Sequence, residues 1–405
     1  MAVYKCSVID DIGKKRKIKI KAESRAGLID YLKLNNYIII NIKNSEDSIT
    51  IRKYGDCLGS KKIAPKDLSV FCKQLYAMFK AGVTIVTSLD ILQQQEENKR
   101  LAKIIRIIYE DLQKGNTLSE ALSGHKNVFP PVFIGMIEVG ELSGNIDVIM
   151  DRLANHFEKE YKLENKIKLA MTYPAILAIV ATVVVIFLLT SIMPTFVDIY
   201  ASYGVELPGI TQVIIFLSEV IKSYWHIILL VIAGMVFLVR VLLKNSKVKY
   251  QSDYAKLQIP VVKNFVLKIA TSRFTRTLST LVGSGVPLLQ SLETVSGVTG
   301  NTYIASKILE VREDIRKGST LSIPLKKQNI FPPMVHNMIK IGEDSGSIEE
   351  ILDKTADFYD EEVYTAVARL TSLLEPIMIV FMAIIIGFIV IAMAMPMFDM
   401  VRIVQ

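Results

Sequence analysis

The residues in this chain whose types and spacing most invite chemistry are two short acidic elements, Gly140-Glu141-Leu142-Ser143-Gly144 and Gly342-Glu343-Asp344-Ser345-Gly346. Each sets a carboxylate just ahead of a helix break, where an acid opposes the helix dipole and calls for a compensating donor or cation. Two readings are open. The carboxylates accept backbone or side-chain donors at a helix terminus, or Glu141, Ser143, Asp147, Glu343, Asp344 and Ser345 form a contact for a partner or a cation, with Glu349 and Glu350 adding charge. Other chemistry finds no footing. There is no G-x-x-x-x-G-K-[ST] run to cradle phosphates, and Gly283-Ser284-Gly285 reads as a helix–turn–helix junction. His125, His156, His226 and His336 stand in separate segments without metal-ligand spacing, and no G-x-S-x-G is present. Cys6, Cys57 and Cys72 lack CxxC spacing and read as reduced thiols. The expectation is a protein with no catalytic, cofactor or metal site, and not an enzyme.

The elements that position these residues are set by where the apolar residues fall. The 405-residue chain is 51% hydrophobic and 22% charged, with a mean hydropathy of +0.37. Such values fit a charged protein only when the apolar residues are clustered. No charged side chain lies between Lys168 and Asp198, and Ala175 to Met193 is wholly uncharged. A second run, Ser223 to Leu243, carries Tyr224 and Trp225 at one end, in the manner of an aromatic belt, and Arg240 near the other. A third lies between Glu375 and Asp399. At about 1.5 Å per residue each crosses a hydrocarbon core of roughly 30 Å. None holds an ionisable residue at its centre, which argues against an ion pathway. The net charge of +8 is unevenly placed. Arg240 to Arg276 holds nine bases and one acid, Asp253, while Asp198 to Lys222 holds three acids and one base. The positive-inside rule then places the N-terminus inside and the tail after Phe398 outside. The basic excess reads as a membrane signature, with no direct nucleic-acid contact. Lys159, Lys162, Lys166, Lys168, Lys244, Lys247 and Lys249 read as headgroup contacts.

The chain also repeats itself. FCKQLYAMFKAGVTIVTSLDIL from Phe71 matches FTRTLSTLVGSGVPLLQSLETV from Phe274 at an offset of 203, and DLQKGNTLSEAL from Asp111 matches DIRKGSTLSIPL from Asp314. From Phe129 and Phe331 the two FPP…GExSG segments match at an offset of 202, and the match runs into the membrane, where Tyr173-Pro174 aligns with Glu375-Pro376. The unit is a helical bundle followed by its own exit helix. The middle span has no counterpart and returns the chain to the starting side. Spacing of three and four along Leu68, Phe71, Cys72, Leu75, Met78 and Phe79, and along Leu101, Ile104, Ile105, Ile108 and Leu112, predicts amphipathic helices, with about six helices per copy. Thr117 to Glu120 has capping-box spacing.

The fold class is therefore mainly α, a polytopic membrane protein with two homologous six-helix bundles, three transmembrane helices and a small N-terminal α/β module. The module occupies residues 1–60, with two strands around a Gly13 turn, a helix from Arg25 to Asn35 and a further strand at YIIINIK. The first bundle spans 63–168, the first transmembrane helix 169–197, a short external loop 198–222 and the second transmembrane helix 223–243. The second bundle spans 265–374 and the third transmembrane helix 376–398.

Together, the doubled F-x-x-x-L…G-V…S-L, the doubled K-G-[NS]-T-L-S, the doubled F-P-P…[VI]-G-E-x-S-G and three spans in matching places resemble the type II secretion F / type IV pilus PilC family of inner-membrane platform proteins. The resemblance covers essentially the whole length. It implies a protein at the base of a pilus or pseudopilus that couples a cytoplasmic hexameric assembly ATPase to extraction of pilin or pseudopilin subunits. It further implies other inner-membrane assembly proteins as partners and a homo-oligomer, a dimer or higher. Asp344 stands where the first copy has Leu142, so the two acidic elements need not be equivalent. The competing class is a repeat-built membrane transporter, which calls for paired broken helices and buried polar groups at mid-membrane.

Overall fold

Proline, glycine and asparagine mark where helices must start and stop, and the computed structural model of the protein describes residues 2–9, 15–22, 38–44, 62–195 and 209–404. Helix α1 (Pro65–Lys80) opens on a proline, whose missing N–H costs least in a first turn, and stops ahead of Gly82, held at φ 79°. Helices α2 (Ile85–Gln95), α3 (Lys99–Gln113), α4 (Leu118–Ser123) and α5 (Pro131–Ser143) follow. The Asn98 side chain caps α3 by accepting the amides of Arg100 and Leu101. Helix α6 (Ile146–Phe187) runs on through a π-helical turn, Leu188–Ile192. Two elements without a repeat counterpart come next, α7 (Gly209–Leu242) and α8 (Ser246–Lys256). The second set is α9 (Pro260–Gly283), α10 (Leu288–Ser296), α11 (Thr302–Arg316), α12 (Ser322–Gln328), α13 (Pro333–Ser345) and α14 (Ile348–Val404). Each copy thus carries six helices in the same order, the last of them the exit helix.

The chain divides into two units. One comprises Met1–Ile63, Leu89–Asn116 and Glu120–Pro130. Its strands β1 (Ala2–Ile9), β2 (Lys15–Ala22) and β3 (Ile38–Asn44) form an antiparallel sheet in the order β2-β1-β3, with Cys6 opposite Ile18 and Ile42. The helix expected over Arg25 to Asn35 and the Gly13 turn lie outside the described residues, as does Cys57. In α3 the expected stripe is buried at Leu101, Ile104, Ile105 and Ile108.

The other unit comprises Ala64–Ser88, Thr117–Ser119 and Pro131–Gln405. Phe71, Phe133 and Phe157 stack in its first-copy core at centroid distances of 6.4 and 6.2 Å, and Phe274 meets Phe331 at 4.4 Å in the second. Cys72 is a buried free thiol, and burial pushes its pKa up. Among the described residues, three helices are long and apolar enough to cross a membrane: Ile146–Thr195, Thr211–Leu242 and Ile348–Ala392.

The stretch from 198 to 222, expected as a loop, is helical from Gly209 onward. Thr211, Ile214, Ser218 and Ile221 recur at helical spacing and face the exit helices, where Ile214 joins Leu189, Met193, Ile389 and Ala392 in one cluster. Thr211 Oγ1 donates to the Ala392 carbonyl at 2.8 Å and Ser218 Oγ to that of Leu189 at 2.6 Å. The helix kinks at Tyr224, whose φ of −116° and ψ of 16° separate this segment from the apolar run that follows.

Candidate functional site

The two acidic turns are built alike. Gly140 lets α5 cross close to α6, since a Cβ there would meet Ile149 Cγ1 at 2.8 Å. Gly342 does the same for α13 and α14, where a Cβ would meet the Ile348 backbone at 2.9 Å. The closing glycines, Gly144 and Gly346, take the left-handed conformation at φ 74° and 69°. Between them the carboxylate reaches back. Glu141 accepts the amides of Leu118 and Ser119 at 2.5 and 2.9 Å, and Glu343 accepts those of Leu321 and Ser322 at 2.5 and 3.1 Å. Each acid ending one helix thus caps the positive end of the short helix made by T-L-S. This links two motifs that looked independent in the sequence. The donors lie 22 or 23 residues away for Glu141, a separation that no local pattern reveals.

Around these caps the remaining residues face solvent. Ser143, Asp147, Asp344 and Ser345 are exposed, and Ser345 Oγ donates to the Ile341 carbonyl at 2.7 Å. Leu142 is 84% exposed. Glu349 and Glu350 are engaged elsewhere, with Arg152 at 2.6 Å and Lys354 at 2.5 Å. Among the described residues, no group of three or more His, Cys, Asp and Glu could hold a metal ion.

A second site, unforeseen from the sequence, lies where α6 meets α9 and α14. Arg276, 6% exposed, donates to Asp353 and Asp357 at 2.5 Å and to Asp360 at 2.7 Å. Ser272 Oγ also donates to Asp360. Lys159 of α6 joins the cluster through Asp357 at 3.0 Å. Burial works against the ionised form of Asp357, but hydrogen bonds from Arg276 and Lys159 hold its pKa below the ordinary carboxylate value. Nearby, the His156 ring places Nδ1 3.2 Å from Thr280 Oγ1, whose own hydroxyl donates to the Arg276 carbonyl at 2.8 Å. The hydroxyl proton being used, His156 must be the donor and carries its proton on Nδ1. Burial, with Arg276 and Lys159 adding to it, pushes His156 down to about 4, so it is neutral at physiological pH.

These contacts follow a rule. Arg152 pairs with Glu349 at 2.6 Å, Lys159 with Asp357 at 3.0 Å, and the Lys166 ammonium sits 3.4 Å over the Tyr364 ring. Partners climb along both helices in steps of about seven, the signature of two parallel helices packed side by side. Leu163, Val363 and Val367 form an apolar cluster along this seam. Further on, Tyr173 donates to Glu375 at 3.3 Å, so two equivalent positions of the repeat meet. Gly283 leaves room for the first of these pairs, since a Cβ there would occupy the space of the Glu349 carboxylate and the Arg152 guanidinium.

Comparison with known proteins fits this architecture. The family model described as type II secretion system (T2SS), protein F matches residues 71–194 and again 274–396, the two copies read from the sequence. A Thermus thermophilus protein named type IV pilus assembly protein PilC is 39% identical over 337 residues, covering 83% of each chain. The Pseudomonas aeruginosa protein of the same name is 34% identical over 366 residues, covering 89% of this chain and 98% of its own. The Vibrio cholerae type II secretion system protein F is 29% identical over 401 residues, covering 99% and 98%. With its duplicated domain and three long apolar helices, the chain is a membrane protein that belongs to the type II secretion system protein F family.

Proposed function

We propose that this protein is the inner-membrane platform of a type IV pilus or type II secretion machine, coupling a cytoplasmic hexameric assembly ATPase to extraction of pilin or pseudopilin subunits from the membrane. The observation that carries the reading is that each copy's last helix runs unbroken from its bundle into a membrane-length apolar segment, over Ile146–Thr195 and Ile348–Ala392. The two run parallel and are tied by charged pairs. A displacement imposed on the bundles therefore passes along two joined rods. The basic segment from Arg240 to Arg276 favours a cytoplasmic position for both bundles and the N-terminus, with the C-terminus outside. Pilin helices pack against the spans, where Ala181, Gly234, Gly387 and Ala394 permit close approach. The partner contact lies at the two turns, through Ser143, Asp147, Asp344 and Ser345, which Glu141 and Glu343 hold in shape. The working form is a homo-oligomer that joins other inner-membrane assembly proteins.

Insertion of three glycines after Lys168 and after Arg369 tests this. It leaves bundles and spans intact but breaks both rods. The expected result is loss of filament assembly or secretion with ATPase binding retained. Normal assembly by the inserted protein would overturn the reading, as would a reconstituted complex in which the ATPase crosslinks to neither bundle.

A further inference from the structure

Helix α8 has no counterpart in the repeat and no part in the site above. Only Leu243, Lys244 and Asn245 separate it from the end of α7, a link of at most roughly 10 Å. That link is itself folded back, with the amides of Leu243, Lys244 and Asn245 bonded to the carbonyls of Val239, Val241 and Leu242. The start of α8 is therefore held close to the end of α7, a helix long and apolar enough to cross a hydrocarbon core. Around it Lys244, Lys247, Lys249 and Lys263 are exposed. Among the described residues, none of the four takes part in an ion pair. Tyr250 and Tyr254 stack on Tyr303 at centroid distances of 5.7 and 5.1 Å yet stay 38% and 45% exposed, and Ile259 is 53% exposed. Cations, half-exposed tyrosines and an isolated aliphatic side chain along the segment from Lys244 to Lys263 match the chemistry of a bilayer interface.

The only acid of this segment is already spent. Asp253 is buried, takes the Lys256 ammonium at 2.8 Å, and accepts both the amide and the hydroxyl of Thr302 at 2.9 and 2.8 Å. Asn301 adds a bond to the Asp253 carbonyl at 3.1 Å. Asp253 thus fastens α8 to the start of α11 in the second bundle, leaving the four lysines without a counter-charge among the described residues.

We propose that Lys244, Lys247, Lys249 and Lys263 form a docking foot for anionic phospholipid headgroups, and that through Asp253 this foot holds the second bundle at a fixed height on the membrane. The covalent tether to α7 decides for a lipid surface as occupant. The foot meets headgroups at every moment and other polyanions only by encounter.

The test uses the full chain in neutral detergent. Binding of phosphatidylglycerol and of phosphatidylcholine is read by native mass spectrometry for wild type, for a variant with all four lysines changed to Gln, for one with all four changed to Arg, and for Lys103→Gln/Lys326→Gln as a remote control. Wild type should prefer phosphatidylglycerol. The Gln variant should lose that preference by about fivefold per lysine, on the order of a hundredfold or more in all. The Arg variant and the remote control should keep it. The proposal is overturned if wild type shows no preference, if the Gln variant keeps it, or if the Arg variant loses it as fully as the Gln variant, since charge is then not what binds. The Lys247→Gln single variant, on an exposed turn, gives the graded point should the quadruple variant lose its fold.

Discussion

At the same place in the two copies, Lys73 and Arg276 do different jobs. Lys73 sits at the repeat equivalent of Arg276, and Glu158 at that of Asp360. In the first copy this yields one bridge at 2.5 Å between side chains 52% and 29% exposed. Glu158 also takes Lys162, and hydrogen bonds from Lys162 and Lys73 draw its pKa down to about 2. In the second copy the cation is buried and meets three carboxylates: Asp357 stands where the first copy has Asn155, and Asp353 keeps the acid of Asp151, which in the first copy takes the Asn155 side-chain amide at 3.4 Å instead. The difference follows from where α6 spends its charges. Arg152 and Lys159 reach out of the first copy to α14, and the acids they meet are the ones that surround Arg276 or sit beside them. Duplication supplied the same helices twice. Divergence of a few polar residues then made one copy the socket and the other the plug.

The largest expected effect lies in that socket. Arg276→Met removes a buried cation from three carboxylates, of which Asp353 and Asp357 are half-exposed and only Asp360 is largely buried. That should cost about 2–3 kcal/mol of stability. Lys73→Met, at the equivalent but solvated position, should cost at most about 1 kcal/mol. Thermal unfolding of both variants in the same detergent measures the two. Equal losses would erase the distinction between the copies.

Acid should act through His156, whose repeat equivalent is the half-exposed Phe358. Its folded pKa of about 4 lies below the 6.5 of the free side chain. The unfolded chain therefore binds this proton first as pH falls, so the stability it contributes is present above pH 6.5 and is lost on the way down to 4. The loss runs at about 1.4 kcal/mol per pH unit. His156→Gln should flatten that part of the stability profile relative to wild type. An unchanged slope would mean that the ring is not held neutral at the joint.

Gly283 sharpens the comparison further, because Lys80 occupies its place in the first copy. Replacing a helical glycine with alanine normally stabilises by up to about 1 kcal/mol. Here the added methyl displaces the flexible, half-exposed ends of the Arg152–Glu349 pair, so Gly283→Ala should forgo that gain and cost at most about 1 kcal/mol. In the Glu349→Ala background most of that penalty should vanish, a non-additivity that a double-mutant cycle reads directly.

The parts of this fold that were legible in the sequence are those written in local pattern. Three long apolar runs gave the membrane helices, and self-similarity at offsets of 203 and 202 gave the two bundles. The Gly-Val turns and the prolines gave the helix ends. The segment from Gly209 to Lys222 was missed because its signal is sparse, only Thr211, Ile214, Ser218 and Ile221 pointing one way, and two of those are polar. The Arg276 cluster was illegible for a different reason. Its acids lie 77 to 84 residues away, and an aspartate on a helix face reads as solvated until the partner helix is known. The acidic turns fell between these cases. Their spacing announced a carboxylate in need of a donor, but only the tertiary fold supplied the T-L-S amides.

Those turns are also where the two copies should behave alike, and they yield the smallest effect. Glu141→Gln and Glu343→Gln each keep one carbonyl oxygen to accept an amide but lose the charge that complements the helix N-terminus. Each should therefore cost about 1 kcal/mol, and by the same amount within error. Because Leu142 and Asp344 flank the two acids differently, partner binding is free to differ between the variants even where stability does not. A matched loss of stability with an unmatched loss of ATPase binding would show that the caps are shared scaffolding and that recognition resides in the residues around them. An unmatched loss of stability would mean that the two caps, for all their common geometry, carry different loads.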